Sequence, residues 1–317
     1  MNKLPVIILT GPTAVGKTAL SIKLAQQLHG EIISADSMQV YKYMDIGTAK
    51  ITKQEQQDIP HHLIDILEPE ETFHVVKFQQ LAQQALQDIY QRGKIPIVVG
   101  GTGFYIQALI YDIDFTEAEV DITYRRELEE LAHTQGADNL HRRLQIQDPM
   151  SAKEIHPNNI KKVIRALEYY KVHASSITLH NQEQREKFSP FQSYYFVLND
   201  DRDCIYQRIN DRVDYMIAQG LVEEVNSLMK RGLNLSHQSM QGIGYKQIYE
   251  YLIGESTLEE AIYRLKRDSR HFAKRQLTWF RREREVIWLD RQRFQEDHQI
   301  LKEIHESLRD LSVERNI

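Results

Sequence analysis

The sequence predicts an α/β protein in which a parallel sheet is flanked by helices and interrupted by an all-helical subdomain. Short apolar, β-branched runs alternate with helical patterns near the N-terminus, which is typical of a parallel sheet. Residues 116–188 are rich in Glu, Gln, Arg and His, and Gly136 is their only glycine. Strand-like runs then return. The predicted core is therefore residues 1–115 and 189–317, with residues 116–188 inserted as a helical subdomain.

The individual elements follow from hydrophobic periodicity. Leu20, Leu24 and Leu28 recur every four residues, which predicts a helix over residues 16–29 that stops at Gly30. Further helices are expected over residues 75–91, 203–231 and 257–285. The predicted strands are residues 5–9, 31–35, 95–99, 194–198 and 286–289.

Composition excludes several classes of protein. The chain has 317 residues, enough for about two domains, and a single cysteine, Cys204. One cysteine rules out an internal disulfide and a Cys-based zinc finger, and it favours a reducing cytoplasm. The longest apolar runs fall short of the roughly 18 residues of a membrane helix. The run after Lys3 is likewise too short for a signal peptide. We therefore expect a cytoplasmic protein without a membrane partner.

Charge is distributed unevenly along the chain. The net charge is −5, but residues 261–285 carry nine Lys and Arg against three acids. That window is +6, which leaves −11 for the rest. Phe272, Trp279 and Phe280 lie among these cations, a combination that suits looped or single-stranded RNA. The same pattern also fits an amphipathic helix with its aromatic side chains in the core and its charges in water.

Residues 11–18, GPTAVGKT, match the phosphate-binding pattern G-x-x-x-x-G-K-[ST]. The motif follows a predicted strand and opens a predicted helix, so backbone N–H groups and the helix N-terminus would face one anion. Lys17 adds a full positive charge, and Thr18 offers a hydroxyl to Mg²⁺. The alternative is a glycine turn that binds nothing. The motif predicts a P-loop NTPase-like parallel sheet.

Other sequence features argue against nucleotide hydrolysis. The Asn-Lys-x-Asp motif with which GTPases read the base is absent from the sequence. The strand over residues 95–99 ends in Gly100-Gly101-Thr102-Gly103, without the acid that usually holds the metal of an ATPase. An intact anion site therefore lacks the group that normally organises hydrolysis.

Two polar residues follow strands whose carboxyl ends should lie near the phosphate loop. Asp36 follows the second strand, and ligands of open parallel sheets bind at this edge. A carboxylate beside a polyphosphate is repelled, which suggests a role in proton abstraction. The alternative for Asp36 is a turn or helix cap. Thr102, between glycines, either faces a ligand or belongs to a simple turn.

Two other pairs of residues have competing interpretations. Arg208 and Arg212 are four residues apart on one predicted helical face and could clamp a pyrophosphate. They could equally pair with Asp211 or Asp214 in solvent. His61 and His62 would point to opposite faces of a strand, so we expect a structural role and no zinc site.

Several longer motifs together resemble the tRNA dimethylallyltransferases of the bacterial type. The phosphate loop is followed in order by DSMQVY (36–41), MDIGTAK (44–50), PHHLID (60–65), GGTGFY (100–105), PNN (157–159) with RALE (165–168), MQGIGYK (240–246), and KRQ (274–276) with TWFR (278–281). These matches run from about residue 10 to residue 290. The family's usual Pro-Asn-Asp is Pro-Asn-Asn here, with Asn159 in the last place.

The resemblance implies a reaction. Members of this family transfer a dimethylallyl group from dimethylallyl diphosphate to the exocyclic amine (N6) of the adenosine 3′-adjacent to the anticodon, in tRNAs reading codons that begin with U. The phosphate loop would then bind the isoprenoid's diphosphate instead of ATP, with Mg²⁺ as cofactor. The implied partners are the tRNA anticodon stem-loop and dimethylallyl diphosphate, and we expect a monomer.

The resemblance and the motifs together assign the site residues. Asp36, Thr102 and Lys17 are the expected catalytic residues, and Thr18 is the expected metal ligand. The diphosphate would be bound by Gly11, Thr13, Ala14, Val15, Gly16, Lys17, Thr18, Arg208 and Arg212. The tRNA would be contacted by Asp36, Ser37, Met38, Gln39, Thr102, Arg125, Asn159, Ile160, Lys161, Lys162, Val163, Gln241, Lys274, Arg275 and Arg281. Tyr124 and Arg126 are alternatives to Arg125.

Two other functions remain open at this stage. A P-loop small-molecule or nucleoside kinase would share the phosphate loop and an Asp after the second strand, but it would also need an adenine pocket. An RNA-binding P-loop module without transfer chemistry would have no use for Asp36 beside an anion site.

Overall fold

The computed structural model describes residues 3–115, 121–294 and 296–309. It divides into two compact units, Met1–Ile110 with Pro190–Ile317, and Tyr111–Ser189. The subdomain predicted over residues 116–188 lies within the second unit, although residues 116–120 fall outside the described part. Among the described residues, every helix is too short or too polar to cross a membrane.

The first unit contains one six-stranded sheet in which all pairings are parallel. Its strands are β1 (Pro5–Thr10), β2 (Gly30–Ala35), β3 (His61–His62), β4 (Ile95–Gly100), β5 (Gln192–Asn199) and β6 (Val286–Asp290). The spatial order is β3-β2-β4-β1-β5-β6, so β1 lies between β4 and β5. The parallel α/β fold predicted from the sequence is therefore confirmed. Strand β3 has no counterpart in the prediction because two residues are too short to show a period.

Thirteen α-helices occur among the described residues. They are α1 (Lys17–Leu28), α2 (Val75–Gln91), α3 (Gly103–Ile110), α4 (Ile122–Gln135), α5 (Ala137–Gln147), α6 (Pro149–Glu154), α7 (Ile160–His173), α8 (Ile177–Glu186), α9 (Arg202–Ala218), α10 (Leu221–Lys230), α11 (Tyr245–Leu252), α12 (Leu258–Phe280) and α13 (Asp297–Ser307).

Three helices have boundaries that differ from the prediction. The helix expected over residues 257–285 spans only Leu258–Phe280. The single helix expected over residues 203–231 is wrong, because the chain breaks between α9 and α10 at Gly220, which has φ 99°. Helix α1 ends at Leu28, its C-cap His29 is left-handed, and Gly30 already belongs to β2. A hydrophobic stripe cannot locate such breaks, because the apolar spacing continues across them.

The sheet positions the site because its central strands are buried on both faces. Every residue of β1 and β2 is buried. Ile7, Leu9 and Ile97 pack in one cluster with Leu20 of α1 and Ile304 of α13. Helix α2 contacts β2 and β4. Strands β1, β2 and β4 therefore present their carboxyl ends side by side at one rigid edge.

The second unit has a separate hydrophobic core formed by its own helices. The cluster contains Tyr124 and Leu128 of α4, Leu140 and Leu144 of α5, and Val163 of α7, among others. Asp121 caps α4 by accepting a hydrogen bond from the backbone N–H of Tyr124. A polar sequence with few glycines thus forms a helical unit around one small core.

Candidate active site

The phosphate loop turns sharply between β1 and α1. Gly16, with φ 93°, stands at the N-cap of α1, and Ala14 is also left-handed, with φ 63°. A side chain at Gly16 would collide with the guanidinium of Arg291, whose Nε donates a hydrogen bond of 2.8 Å to the carbonyl of Val15. Arg291, which the sequence analysis missed, therefore stabilises the phosphate loop through this contact.

Lys17 folds back over the phosphate loop. Its Nζ donates hydrogen bonds to the carbonyls of Gly11 (2.9 Å) and Pro12 (2.8 Å). Burial, together with the positive charge of Arg212, lowers the pKa of Lys17 to about 7, although Asp36 acts in the opposite direction. An arriving anion would favour the charged ammonium.

A cleft of about 610 Å³ opens between the phosphate loop and the ends of β2 and β4. Polar side chains and glycines line it: Thr13, Gly16, Lys17, Thr18, Asp36, Gln39, Gly100, Gly101, Arg212 and Gln276. Ile22, Ile51 and Val99 line it as well. The cleft therefore combines anion-binding groups with apolar side chains.

Asp36 lies on the cleft and also organises its own loop. Its Oδ1 accepts hydrogen bonds from the backbone N–H groups of Met38 (2.8 Å) and Gln39 (3.2 Å). Gln39 in turn donates from Nε2 to the carbonyl of Thr48 at 3.2 Å. The turn role is therefore observed, while proton abstraction stays a prediction for a residue that lines the cleft.

Thr102 lies beside the cleft at the start of α3. Its N–H donates to the carbonyl of Ala35 at 3.2 Å, and its own carbonyl accepts from Tyr105 and Ile106. Gly100 and Gly101, which precede it, line the cleft. The loop after β4 is thus joined to the end of β2, next to Asp36.

The structure separates the two arginines that the sequence paired. Arg212 of α9 lines the cleft, and burial lowers its pKa. Arg208 instead forms an ion pair with Asp200, with Nη2 to Oδ2 at 2.6 Å. Arg208 is not among the residues that line the cleft, so its assignment to the diphosphate stays a prediction without a supporting contact in this structure.

Helix α12 contributes a buried glutamine that the sequence analysis did not single out. The Oε1 of Gln276 accepts from the N–H of Thr13 at 2.8 Å, and its Nε2 donates to the carbonyl of Gly101 at 2.9 Å. An added Cβ at Gly101 would collide with Gln276, and one at Gly103 would collide with Trp279. The glycines after β4 therefore allow α12 to approach closely. The detectable signal was a polar residue on the apolar face, four residues before Phe280.

A second missed residue holds the loop over residues 45–47. The Glu224 carboxylate accepts hydrogen bonds from the N–H groups of Asp45 (2.9 Å), Ile46 (2.8 Å) and Gly47 (3.0 Å). The hydroxyl of Tyr245 donates to the same carboxylate at 2.7 Å. This loop continues to Thr48 and Ala49, which line the cleft. An acid on a distant helix gives no local sequence signal for such a role.

The basic segment forms an amphipathic helix with cations on its outer face. Lys274 and Arg275 of α12 and the following Arg281 are exposed, whereas Ala273 and Phe280 are buried. Gln241 is exposed and donates to the carbonyl of Leu235. Ser37 and Met38, which follow Asp36 after β2, are half-buried.

In the second unit, the predicted RNA contacts fall into two groups. Asn159, Lys161 and Lys162 are exposed around the start of α7, Arg126 is exposed on α4, and Ile160 is half-buried. Arg125 binds Glu168 through two hydrogen bonds of 2.8 Å. Tyr124 is buried, and Val163 is 0% exposed in the core of the unit. The inclusion of Val163 is corrected, because its side chain has no surface to offer RNA.

The adjacent histidines have structural contacts. His62 lies 2.8 Å from Oε2 of Glu31, and His61 Nδ1 lies 2.8 Å from the carbonyl of Ile59. Arg92 pairs with the same Glu31 carboxylate, with Nη2 to Oε2 at 2.6 Å. Within the described part of the chain, no group of three His, Cys, Asp or Glu is arranged to hold a metal ion.

Comparison with known proteins places this site in a family. A model of the IPP transferases matches residues 39–283, and one of the isopentenyl transferases matches residues 4–68. A tRNA dimethylallyltransferase of Lachnoclostridium phytofermentans is 59% identical over 300 residues, covering 95% of this chain and 96% of that protein. One of Geobacillus thermodenitrificans is 52% identical over 285 residues, covering 90% of each.

Solved structures agree with these relatives. The tRNA isopentenylpyrophosphate transferase of Bacillus halodurans is 44% identical and covers all of both chains, with a TM-score of 0.73. A eukaryotic dimethylallyltransferase acting on tRNA is 33% identical and has a TM-score of 0.79, with 90% of this chain and 74% of that one covered. With its phosphate loop, Asp36 and GGTG loop around one cleft, the chain belongs to the IPP transferase family.

Proposed function

We propose that this protein is a tRNA dimethylallyltransferase. It transfers a dimethylallyl group from dimethylallyl diphosphate to the exocyclic amine (N6) of the adenosine 3′-adjacent to the anticodon, in tRNAs reading codons that begin with U. Family membership supports this proposal and does not favour a kinase. The observation that carries it is the cleft, where Asp36 and the phosphate loop face one space.

The diphosphate of the donor would bind at the phosphate loop. The N-terminus of α1 and the loop amides offer partial positive charge, and Lys17 and Arg212 offer full charges. Because negative charge on the diphosphate grows as its bond to the allylic carbon breaks, these groups stabilise the leaving group more than the bound donor. Lys17 would exchange its two carbonyl partners for phosphate oxygens.

Asp36 would act as the base on the incoming adenosine. The adenine amine is a weak nucleophile because its lone pair is delocalised into the ring. As the new N–C bond forms and the C–O bond to the diphosphate breaks, the amine loses a proton, which the Asp36 carboxylate accepts. Such assistance contributes about 10²–10⁴-fold to the rate. The base would have to leave its stack to reach the cleft.

The dimethylallyl group needs an apolar surface while its carbon carries positive charge. Ile22, Ile51 and Val99 line the cleft alongside the phosphate loop and are placed to provide it. Excluding water there would protect the cation from hydrolysis, which competes with transfer to the amine.

The residues present fit Mg²⁺ when it arrives with the diphosphate. Thr18 is exposed in the cleft and offers a hydroxyl oxygen, a hard donor that suits Mg²⁺. Mg²⁺ is usually held by few protein ligands together with phosphate oxygens, which agrees with a site lacking a cluster of carboxylates. When bound, the ion would supply charge neutralisation at the diphosphate.

The anticodon stem-loop would be held by cations on each unit separately. Lys274, Arg275 and Arg281 form an exposed basic surface on the first unit, and Lys161 and Lys162 extend from α7 of the second. The monomeric state remains a prediction. The cytoplasmic location remains a prediction from the single cysteine.

The proposal is tested by incubating the protein with undermodified tRNA, Mg²⁺ and dimethylallyl diphosphate, and separately with ATP in place of the donor. The expected product is tRNA carrying one dimethylallyl group at the adenosine beside the anticodon, detected by nucleoside mass spectrometry. A tRNA with guanosine at that position is the matched negative control. Transfer of phosphate from ATP, or no product with either donor, would refute the proposal.

A further inference from the structure

Gln276 joins two loops that line the cleft. Its carboxamide accepts from the N–H of Thr13 in the phosphate loop and donates to the carbonyl of Gly101 after β4. Both hydrogen bonds are short, at 2.8 Å and 2.9 Å. One planar side chain therefore bridges two loops that follow different strands, β1 and β4.

The surroundings of Gln276 leave it little freedom. The residue is 6% exposed, and a Cβ at Gly101 would collide with its amide nitrogen. On the neighbouring turn of α12, Ala273 packs with Ala14 of the phosphate loop and with Ile205 and Ile209 of α9. A buried carboxamide whose oxygen and nitrogen are both hydrogen-bonded in a close-packed position is costly to move.

Thr13 is fixed from two directions. Gln276 holds its backbone N–H, and Nη1 of Arg212 lies 3.4 Å from its hydroxyl. The phosphate loop can bind an anion only if its peptide N–H groups point toward that anion. Thr13 is the third residue of this loop, which spans residues 11–18. The loop's own sequence does not supply these partners, since both come from helices more than 190 positions later.

We propose that Gln276 is a positioning residue for donor binding. It orients the Thr13 peptide and sets its distance from Gly101, so that the phosphate loop is preorganised for the diphosphate before the donor arrives. The inference rests on the proposed function for the identity of the donor. It adds that α12, whose outer face carries Lys274 and Arg275, determines the geometry of the diphosphate site through one inward-facing side chain.

The test compares two buried glutamines of the same unit. Gln247 of α11 also accepts from a backbone N–H, that of Gly244, and donates to a neighbour, Asp268. Gln276→Met and Gln247→Met each replace a carboxamide by an apolar chain of similar length. Only the first removes contacts with Thr13 and Gly101.

For Gln276→Met we expect the Kd of inorganic pyrophosphate and the KM of dimethylallyl diphosphate to rise about tenfold, the effect of one or two lost hydrogen bonds. The KM for tRNA should stay within about twofold. Amide hydrogen exchange at Thr13 should become faster. Gln276→Glu retains an acceptor for the Thr13 N–H and should keep that amide protected. Gln247→Met should lower Tm but leave Thr13 exchange and pyrophosphate affinity as in the wild type.

Unchanged or tighter pyrophosphate binding by Gln276→Met would overturn the inference, as would equal weakening in Gln247→Met. Failure of the proposed function is a separate result, because the wild-type protein itself would then form no prenylated tRNA. If the wild-type protein transfers the prenyl group normally and Gln276→Met binds pyrophosphate as tightly as the wild type, only the positioning role is rejected.

Discussion

The guanidinium of Arg212 reaches the hydroxyl of Thr13 in the phosphate loop, with Nη1 3.4 Å from Oγ1. One turn earlier on the same helix, Arg208 is engaged with Asp200. We therefore predict that Arg212→Gln weakens pyrophosphate binding at least tenfold, because a charged partner of the anion is lost. Isothermal titration calorimetry at fixed ionic strength measures this change.

Arg208→Gln is the matched control for that experiment. It should leave pyrophosphate affinity within about twofold and lower Tm, since Asp200 is buried and loses its partner. Equal weakening of binding by the two variants would contradict the assignment of anion binding to Arg212 alone.

Asp36→Asn should reduce kcat by about 10²–10⁴-fold, because an amide cannot accept the adenosine's proton. The Asn oxygen can still accept from the N–H groups of Met38 and Gln39, so the turn should persist. Single-turnover prenylation measures the rate, and filter binding measures tRNA affinity, which we expect to stay nearly intact. If turnover at saturating tRNA survives while tRNA binding collapses, Asp36 is not the base.

Donor affinity should depend on pH through Lys17, whose pKa burial lowers to about 7. A bound diphosphate favours the ammonium and raises that pKa, so binding takes up a proton wherever the free protein has lost it. Well below pH 7 Lys17 is already charged, and its contribution to affinity is largest. As pH rises above 7, Kd should increase by up to about tenfold per pH unit until the pKa of the complex is reached.

Calorimetry in two buffers of different ionisation enthalpy checks the sign of this effect. At pH 8 the wild-type protein should take up close to one proton more than Lys17→Met, and the variant should bind pyrophosphate more weakly at pH 6. Pyrophosphate can itself gain or lose protons on binding, and Lys17→Met measures that contribution without the lysine. An identical pH profile in both proteins would contradict the assignment.

Glu224→Ala should destabilise the first unit. The substitution leaves three backbone N–H groups of residues 45–47 and the Tyr245 hydroxyl without their acceptor. We expect a loss of roughly 2–4 kcal/mol and a fall in Tm of roughly 5–10 °C, measured by calorimetry. Glu223→Ala, at an exposed neighbouring position, should change Tm by less than about 2 °C. Equal shifts would refute the role of Glu224.

Local pattern was sufficient to predict five of the six strands and the phosphate loop. Strand β1 and helix α1 show their periods in the sequence, and the loop between them has a spacing that is typical of an anion site. Asp36 could be placed because strand ends of a parallel sheet lie at one edge. The break at Gly220 was missed because the hydrophobic stripe continues through it.

The remaining parts of the site depend on contacts that no local pattern reports. Gln276 meets Thr13 across 263 positions of chain, and Glu224 meets Gly47 across 177. Similarly, Arg208 and Arg212 are equivalent on a helical wheel, and only the position of Asp200 distinguishes them. Motif resemblance indicated the right segments, but tertiary packing determines which side chain in each segment faces the cleft.

The placement of β1 between β4 and β5 has a consequence for synthesis. Strand β1 leaves the ribosome first, yet its neighbour β5 begins only at Gln192, and α12 ends at Phe280. A nascent chain therefore holds a central strand with an open edge for most of translation, a state that favours aggregation and chaperone capture. Activity should therefore appear only after α12 has been released. Fragments that contain the N-terminal strands but lack β5 and α12 should be inactive.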